Sequence, residues 1–107
     1  MSAASIWLML ANCPSTEDAE RIGRALLDAD VVKSVNVSAR MRTLYRWEGE
    51  LVENQEVQLI LKLPGAHLDA AEALIKRLHP FEVPAIIAWR ADRVSESYAR
   101  YILGQRS

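Results

Sequence analysis

The middle of the chain alternates in side-chain character with a period of two residues. One set of alternate positions holds Val35, Val37, Ala39, Met41, Thr43, Tyr45 and Trp47, and the other holds Asn36, Ser38, Arg40, Arg42, Leu44, Arg46 and Glu48. Alternation over this length predicts a single long strand that is buried on one side. The pattern resumes after Gly49, where one set of alternate positions holds Val57, Leu59, Leu61 and Leu63 and the other holds Glu56, Gln58, Ile60 and Lys62. We therefore predict a long β-hairpin.

The predicted length of this hairpin bears on assembly. A strand over residues 34–48 would extend roughly 50 Å at about 3.3 Å per residue. A compact domain of this size has a radius of gyration of about 13 Å, so its diameter is about 35 Å. The hairpin must bend or project beyond its own core, and a projecting ribbon exposes unpaired backbone groups that proteins normally cover. The simplest cover is another copy of the chain, so we expect a homo-oligomer.

Length and composition limit the class of protein. The 107 residues predict one domain over residues 1–107 with a single hydrophobic core. The net charge of −1 gives no electrostatic case for binding nucleic acid or an anionic membrane. Cys13 is the only cysteine, which excludes an intrachain disulfide. The apolar run at residues 5–11 is short and lacks a basic leader, so we interpret it as a buried strand and expect a cytoplasmic protein.

The remaining elements follow the hydrophobic pattern and the turn residues. Ser15 and the acidic residues after it predict the start of a helix that ends near Asp30. A second helix is predicted from about His67 to the residue before Pro80. A strand at residues 85–89 and a terminal helix from Ser95 complete the chain. The order β-α-β-β-α-β with an extra C-terminal helix predicts an α+β, ferredoxin-like sandwich with a long central hairpin.

Three separated motifs carry a resemblance to a known family. They are Leu44-Tyr45-Arg46-Trp47-Glu48-Gly49, then Glu56-Val57-Gln58-Leu59-Ile60-Leu61-Lys62, and then His79-Pro80-Phe81-Glu82-Val83-Pro84. In this order, and across nearly the whole chain, the sequence closely resembles the CutA divalent-cation tolerance family. The resemblance implies a homotrimer in which the long hairpins pair between subunits. It also implies a non-enzymatic role in tolerance of copper and other divalent cations.

The chain departs from the family pattern at several positions. Ser34 replaces a usual cysteine, and Ala39-Arg40 replaces a Pro-Gly pair in the first arm of the hairpin. Phe81 replaces a tyrosine, Ala85 a glutamate and Tyr101 a common tryptophan. The changes at residues 34 and 85 remove a thiol and a carboxylate, and so weaken the case for a metal site.

Candidate binding residues follow from side-chain chemistry and the resemblance. For a ligand-binding cleft between subunits they are Tyr45, Trp47, Glu56, Lys62 and His79. For a metal ion they are His79, whose imidazole suits Cu(II) or Zn(II), Cys13, whose thiolate suits Cu(I), and Glu82. No catalytic residue and no required cofactor is predicted, and Cu or another divalent cation is the candidate ion.

Each candidate also has a structural alternative. His79 is also explained as a helix-terminal histidine that bonds to nearby backbone or a carboxylate, and Cys13 as a small, partly buried side chain. Tyr45 and Trp47 suit packing in the core or at a subunit interface, and an ion pair between subunits explains Glu56 and Lys62. Two other functions stay open: a small-molecule sensor like the PII signalling proteins, and a trimeric scaffold.

Overall fold

The computed structural model describes residues 5–105, which form five strands and three α-helices. In chain order these are β1 (Ile6–Cys13), α1 (Thr16–Asp28), β2 (Val35–Val37), β3 (Met41–Trp47), β4 (Glu50–Pro64), α2 (Leu68–Leu78), β5 (Ile86–Arg90) and α3 (Glu96–Ile102). A short 3₁₀ turn, Gly65–His67, precedes α2. The chain is thus a mixed α+β fold, and its elements follow the predicted order except that the first hairpin arm is divided into β2 and β3.

The strands form an antiparallel sheet in the order β2-β4-β1-β5, and β3 pairs with the distal half of β4. A two-residue turn joins β3 to β4, because Trp47 pairs with Glu50. Glu48 and Gly49 both have positive φ, at 52° and 82°. This is the backbone twist that a tight hairpin favours.

The hydrophobic core lies between one face of the sheet and the first two helices. The buried residues of β1 and β4 alternate along each strand: Met9, Ala11, Cys13, Val57, Leu59, Leu61 and Leu63. They form one cluster with Ile22 and Leu26 of α1 and Ile75 of α2. Ser15 caps α1 by accepting a hydrogen bond from the Asp18 N–H at 3.0 Å, as its sequence predicts. Ala29 follows the end of α1 at Asp28 and is exposed.

The first arm of the hairpin contains a β-bulge that the alternation did not reveal. Val37 pairs with Leu59, whereas Met41 pairs with Glu56. The first arm therefore has one residue more than β4 between these pairs, and Ala39-Arg40 lie where the ladder is interrupted. Ser38 holds the bulge, since its hydroxyl accepts a hydrogen bond from the Gln58 N–H at 2.8 Å.

The bulge makes the predicted one-sided strand wrong. Directly paired residues share a face of the sheet, so Val35 and Val37 lie with Leu61 and Leu59 on the helix side. Beyond the bulge, the other four members of the same predicted set lie on the opposite face: Met41, Thr43, Tyr45 and Trp47. One inserted residue reverses the face of every side chain that follows it.

The sheet face away from the helices carries exposed apolar side chains. Trp89 is 46% exposed and Ile87 is 60% exposed, and they pair with Leu8 and Leu10 on this face. Trp89 therefore lies outside the core although its strand is apolar, whereas Trp7 packs against the core. Ile60 pairs with Leu10 on this same face.

The distal half of the hairpin projects from the rest of the fold. β1 pairs with β4 only from Val57 to Pro64, so residues 50–56 are paired with β3 alone. The molecule measures 50 × 26 × 23 Å. Of the two predicted alternatives, a bent hairpin or one that projects beyond its own core, the structure shows the projecting one. Within residues 5–105, no helix has the length and apolar character needed to cross a bilayer.

Candidate functional site

A cleft of about 510 Å³ lies between the projecting hairpin and the segment that leads into β5. It is lined by Asn12, Thr43, Tyr45, Trp47, Glu56, Pro80, Phe81, Glu82, Val83 and Ala85. Three chain regions thus meet here: the end of β1, the β3–β4 ribbon and residues 80–85. The volume falls within the range of about 300–1,000 Å³ that is typical of small-molecule sites.

The ribbon contributes its side chains through the register that the bulge sets. Thr43, Tyr45 and Trp47 alternate along β3 and therefore share one face. Glu56 pairs with Met41 and lies on this face too. The Tyr45 hydroxyl accepts a hydrogen bond from Asn54 Nδ2 at 3.0 Å, which fixes the phenol end of the ring. The aromatic side chains therefore face the cleft as a consequence of the residue inserted at 39–40.

Glu56 is the most buried acidic side chain of the cleft. The residue is 5% exposed, and its Oε1 accepts a hydrogen bond from Asn12 Nδ2 at 3.2 Å. Glu82 supplies a second carboxylate from an exposed position on the opposite wall. Among residues 5–105, no lysine, arginine or histidine lines the cleft. Its formal charge is therefore −2.

His79 fixes the wall formed by residues 80–85. It follows the last residue of α2 and turns to an extended conformation, with ψ at 137°, as expected before a proline. Its Nδ1 accepts a hydrogen bond from the Phe81 N–H at 3.0 Å, so the ring proton lies on Nε2. Nε2 then donates to the Asn12 carbonyl oxygen at 2.6 Å. Both ring nitrogens of the neutral imidazole are occupied, which is the structural alternative foreseen for this residue.

Asn12 connects these groups and was missed by the sequence analysis. Its carbonyl oxygen accepts from His79, and its side-chain amide donates to Glu56. A continuous set of hydrogen bonds thus runs from the end of α2 through β1 to the ribbon. One asparagine beside Cys13-Pro14 carries no pattern that would have identified this role.

Only part of the predicted cleft set is brought together. Tyr45, Trp47 and Glu56 line the cleft, while His79 lies behind its wall. Lys62 lies elsewhere on β4, six residues from Glu56 or roughly 20 Å along an extended strand. Its ammonium group donates to Asn36 Oδ1 of the neighbouring strand β2. The ion pair between subunits that would join Lys62 to Glu56 stays a prediction.

The predicted metal ligands do not form a cluster. Cys13 is completely buried, so the partial exposure expected for it was wrong. Burial in the core, helped by the nearby Asp18 carboxylate, raises the pKa of the Cys13 thiol to about 11. His79 would have to give up one of its two hydrogen bonds to coordinate an ion. The part of the chain from 5 to 105 contains no group of three or more His, Cys, Asp or Glu side chains placed to hold a metal.

Comparison with known proteins identifies relatives of this fold and sequence. The family model for the CutA1 divalent ion tolerance protein matches residues 7–105. The CutA homolog of Danio rerio is 30% identical over 95 residues, which cover 89% of this chain and 63% of that protein. The chain therefore spans less than two thirds of the length of that relative.

Solved structures agree over nearly the whole chain. The divalent cation tolerance protein CutA1 of Thermus thermophilus superposes with a TM-score of 0.88 at 29% identity, covering 95% of this chain and 99% of its own. The periplasmic divalent cation tolerance protein CutA of Archaeoglobus fulgidus gives 0.87 at 25% identity, covering 91% and 94%. With sequence and fold in agreement, this chain belongs to the CutA1 divalent ion tolerance protein family.

Proposed function

We propose that this family member is a non-enzymatic, homotrimeric protein of divalent-cation tolerance that binds ions or small ligands in clefts at its subunit boundaries. The observation that supports this most directly is the cleft between the ribbon and residues 80–85. It combines the carboxylates of Glu56 and Glu82 with the aromatic side chains of Tyr45, Trp47 and Phe81. Two acidic groups in an otherwise largely apolar cleft favour a cationic occupant.

The assembly is proposed from two surfaces that a single chain leaves uncovered. Residues 50–56 pair with β3 only, and the helix-free face of the sheet exposes Ile87 and Trp89. Pairing and packing with other copies of the same ferredoxin-like sandwich would cover both. Sedimentation or light scattering in dilute, near-physiological buffer should give a mass of three chains. A folded single chain under these conditions would refute the assembly and the shared cleft.

A metal ion in this cleft would need ligands beyond one chain. Glu56 and Glu82 supply two carboxylates, and Cu(II) or Zn(II) sites usually have at least three protein ligands. The proposal therefore places the remaining ligands on a neighbouring subunit. His79 could join them only after releasing Asn12 or Phe81.

Calorimetric titration with Cu(II) and with Zn(II) tests this arrangement. Glu56→Gln and Glu82→Gln should each weaken binding about tenfold or more, because each removes a charged ligand. Glu53→Gln is the matched control, since Glu53 lies on the other face of β4 and forms an ion pair with Arg42. Equal binding by the unmodified protein and the three variants would show that the metal does not bind in this cleft.

A PII-like small-molecule sensor is the second candidate function. The cleft volume of about 510 Å³ favours it, because the cleft has room for an organic ligand as well as an ion. A thermal-shift screen against metabolites should then find a compound that raises the melting temperature by mass action. No response to ions or metabolites would favour the trimeric scaffold instead.

We also propose a cytoplasmic location, although the relative from Archaeoglobus fulgidus is described as periplasmic. The single cysteine is reduced and buried and does not require an oxidising compartment. Fractionation of cells that express the untagged chain tests this, and recovery outside the cytoplasmic fraction would refute it.

A further inference from the structure

We propose that the cleft between the ribbon and residues 80–85 binds a small organic ammonium ion. This inference rests on the proposed function, because it assigns a ligand class to the same cleft. The ammonium group would lie beside Glu56, and its hydrocarbon part would lie against the aromatic side chains of the lining.

The charge of the cleft selects against anions and neutral molecules. Glu56 and Glu82 line it, and no basic side chain from the described part of the chain does. Glu56 is almost completely buried, with 5% of its surface exposed. A buried carboxylate is costly unless a positive group or hydrogen-bond donors compensate it. A neutral ligand that closed this cleft would deepen that cost, whereas an ammonium group would offset it.

The hydrogen bonds of Glu56 leave one oxygen for the ligand. Asn12 Nδ2 donates to Oε1, and no other donor within residues 5–105 reaches this carboxylate. Asn12 is itself held by His79, so the carboxylate is oriented before a ligand arrives. Oε2 is therefore an available acceptor for an N–H group of a primary ammonium ion.

Aromatic faces provide the second feature that suits an organic cation. Tyr45 and Trp47 come from the ribbon, and Phe81 comes from the opposite wall. Apolar contact with these rings would stabilise the hydrocarbon part of an organic ammonium ion, whose charge stays beside Glu56. A hydrated divalent metal ion does not use these faces, because it keeps oxygen ligands or water around it. The lining as a whole therefore fits an ammonium ion with an apolar body better than it fits a bare ion.

Cyclohexylammonium and cyclohexanol form a matched pair of probes. They have nearly the same shape, and only the first carries a positive charge at neutral pH. We would titrate the intact, assembled protein with each and follow the indole N–H signal of Trp47 by NMR, assigned with Trp47→Leu. Cyclohexylammonium should bind at least about tenfold more tightly than cyclohexanol.

Charge-removing variants locate the site. Glu56→Gln keeps the acceptor for Asn12 but removes the charge, so it should weaken cyclohexylammonium binding about tenfold and leave cyclohexanol binding unchanged. Glu82→Gln removes the second negative charge of the cleft at an exposed position, where the substitution does not disturb folding. Glu53→Gln, on the opposite face of the same strand, should bind like the unmodified protein.

Three results would overturn the proposal. They are equal affinity for the two probes, binding that neither Glu56→Gln nor Glu82→Gln alters, and no binding because a basic side chain of a second copy fills the cleft. Parallel titration with Zn(II) separates this from the proposed function. Zn(II) binding without any binding of cyclohexylammonium would refute the proposed ligand class and leave the proposed metal role standing. Binding of cyclohexylammonium without any metal binding would refute the metal role and leave the proposed ligand class standing.

Discussion

Replacing His79 provides the sharpest test of how the cleft is built. His79→Ala removes the donor to the Asn12 carbonyl at 2.6 Å and the acceptor for the Phe81 N–H at 3.0 Å. His79 is 8% exposed, so water reaches these two backbone groups poorly. An unsatisfied buried group costs about 1–3 kcal/mol. Since water can enter part of the vacated space, we expect the free energy of unfolding to fall by about 2–4 kcal/mol.

Two further variants separate the two hydrogen bonds. In His79→Asn the side-chain oxygen occupies the position of Nδ1 and can accept from Phe81. In His79→Gln the side-chain nitrogen occupies the position of Nε2 and can donate to Asn12. Each should recover about half of the loss, or about 1–2 kcal/mol. Guanidinium unfolding, monitored by tryptophan fluorescence at one fixed protein concentration, measures the series because assembly makes stability concentration-dependent.

A free energy of unfolding that changes by less than about 0.5 kcal/mol in His79→Ala would refute this reasoning, since surface substitutions have effects of that size. The same result, combined with a loss of Cu(II) binding, would restore His79 as a metal ligand. A loss of stability that neither Asn nor Gln recovers would show that ring packing against Phe81, at 5.0 Å between centroids, matters more than the hydrogen bonds.

Two other positions give independent predictions. The native Cys13 thiol should resist labelling by a disulfide reagent at pH 8 and react at once in guanidinium, because it is completely buried and its pKa is raised to about 11. Because the pKa of Cys13 is higher in the folded state than the value of 9.0 in the unfolded chain, its contribution to stability is complete below pH 9. The free energy of unfolding should therefore fall as the pH rises from 9 towards 11, and Cys13→Ala should abolish this contribution. Gly49→Ala should cost about 1 kcal/mol in thermal or denaturant unfolding, because Gly49 has a φ of 82° with no atom near its missing side chain; an unchanged stability would contradict the turn geometry.

The features that the sequence revealed were those with a repeating or strongly local signal. Alternation located both arms of the hairpin, Ser15 located the start of α1, and Pro80 located the end of α2. The cap and the proline act on backbone geometry within a few residues, and the alternation repeats often enough to be recognised along the chain. Trp89 shows the limit of this reasoning, because an apolar strand does not reveal which of its faces the helices cover.

The cleft was only partly predictable for a related reason. Tyr45, Trp47 and Glu56 carry recognisable chemistry and lie in the resembling motifs, and all three line it. Asn12 acts through its carbonyl and its amide, which any asparagine offers, so nothing in one sequence distinguishes it. Lys62 was grouped with Glu56 by the shared face of a strand. Their predicted ion pair joins two subunits, and it therefore stays a prediction.

The bulge at Ala39-Arg40 is the link between the hairpin and the cleft. Without the inserted residue, Tyr45 and Trp47 would continue the face of Val35 and Val37 and point to the helix side of the sheet. The cleft would then lose two of its three aromatic side chains while Glu56 kept its place on β4. The insertion stayed hidden because Ala39 continues the apolar set and Arg40 the polar one. The inserted residue, which the alternation conceals, therefore also positions the aromatic side chains of the ribbon opposite residues 80–85.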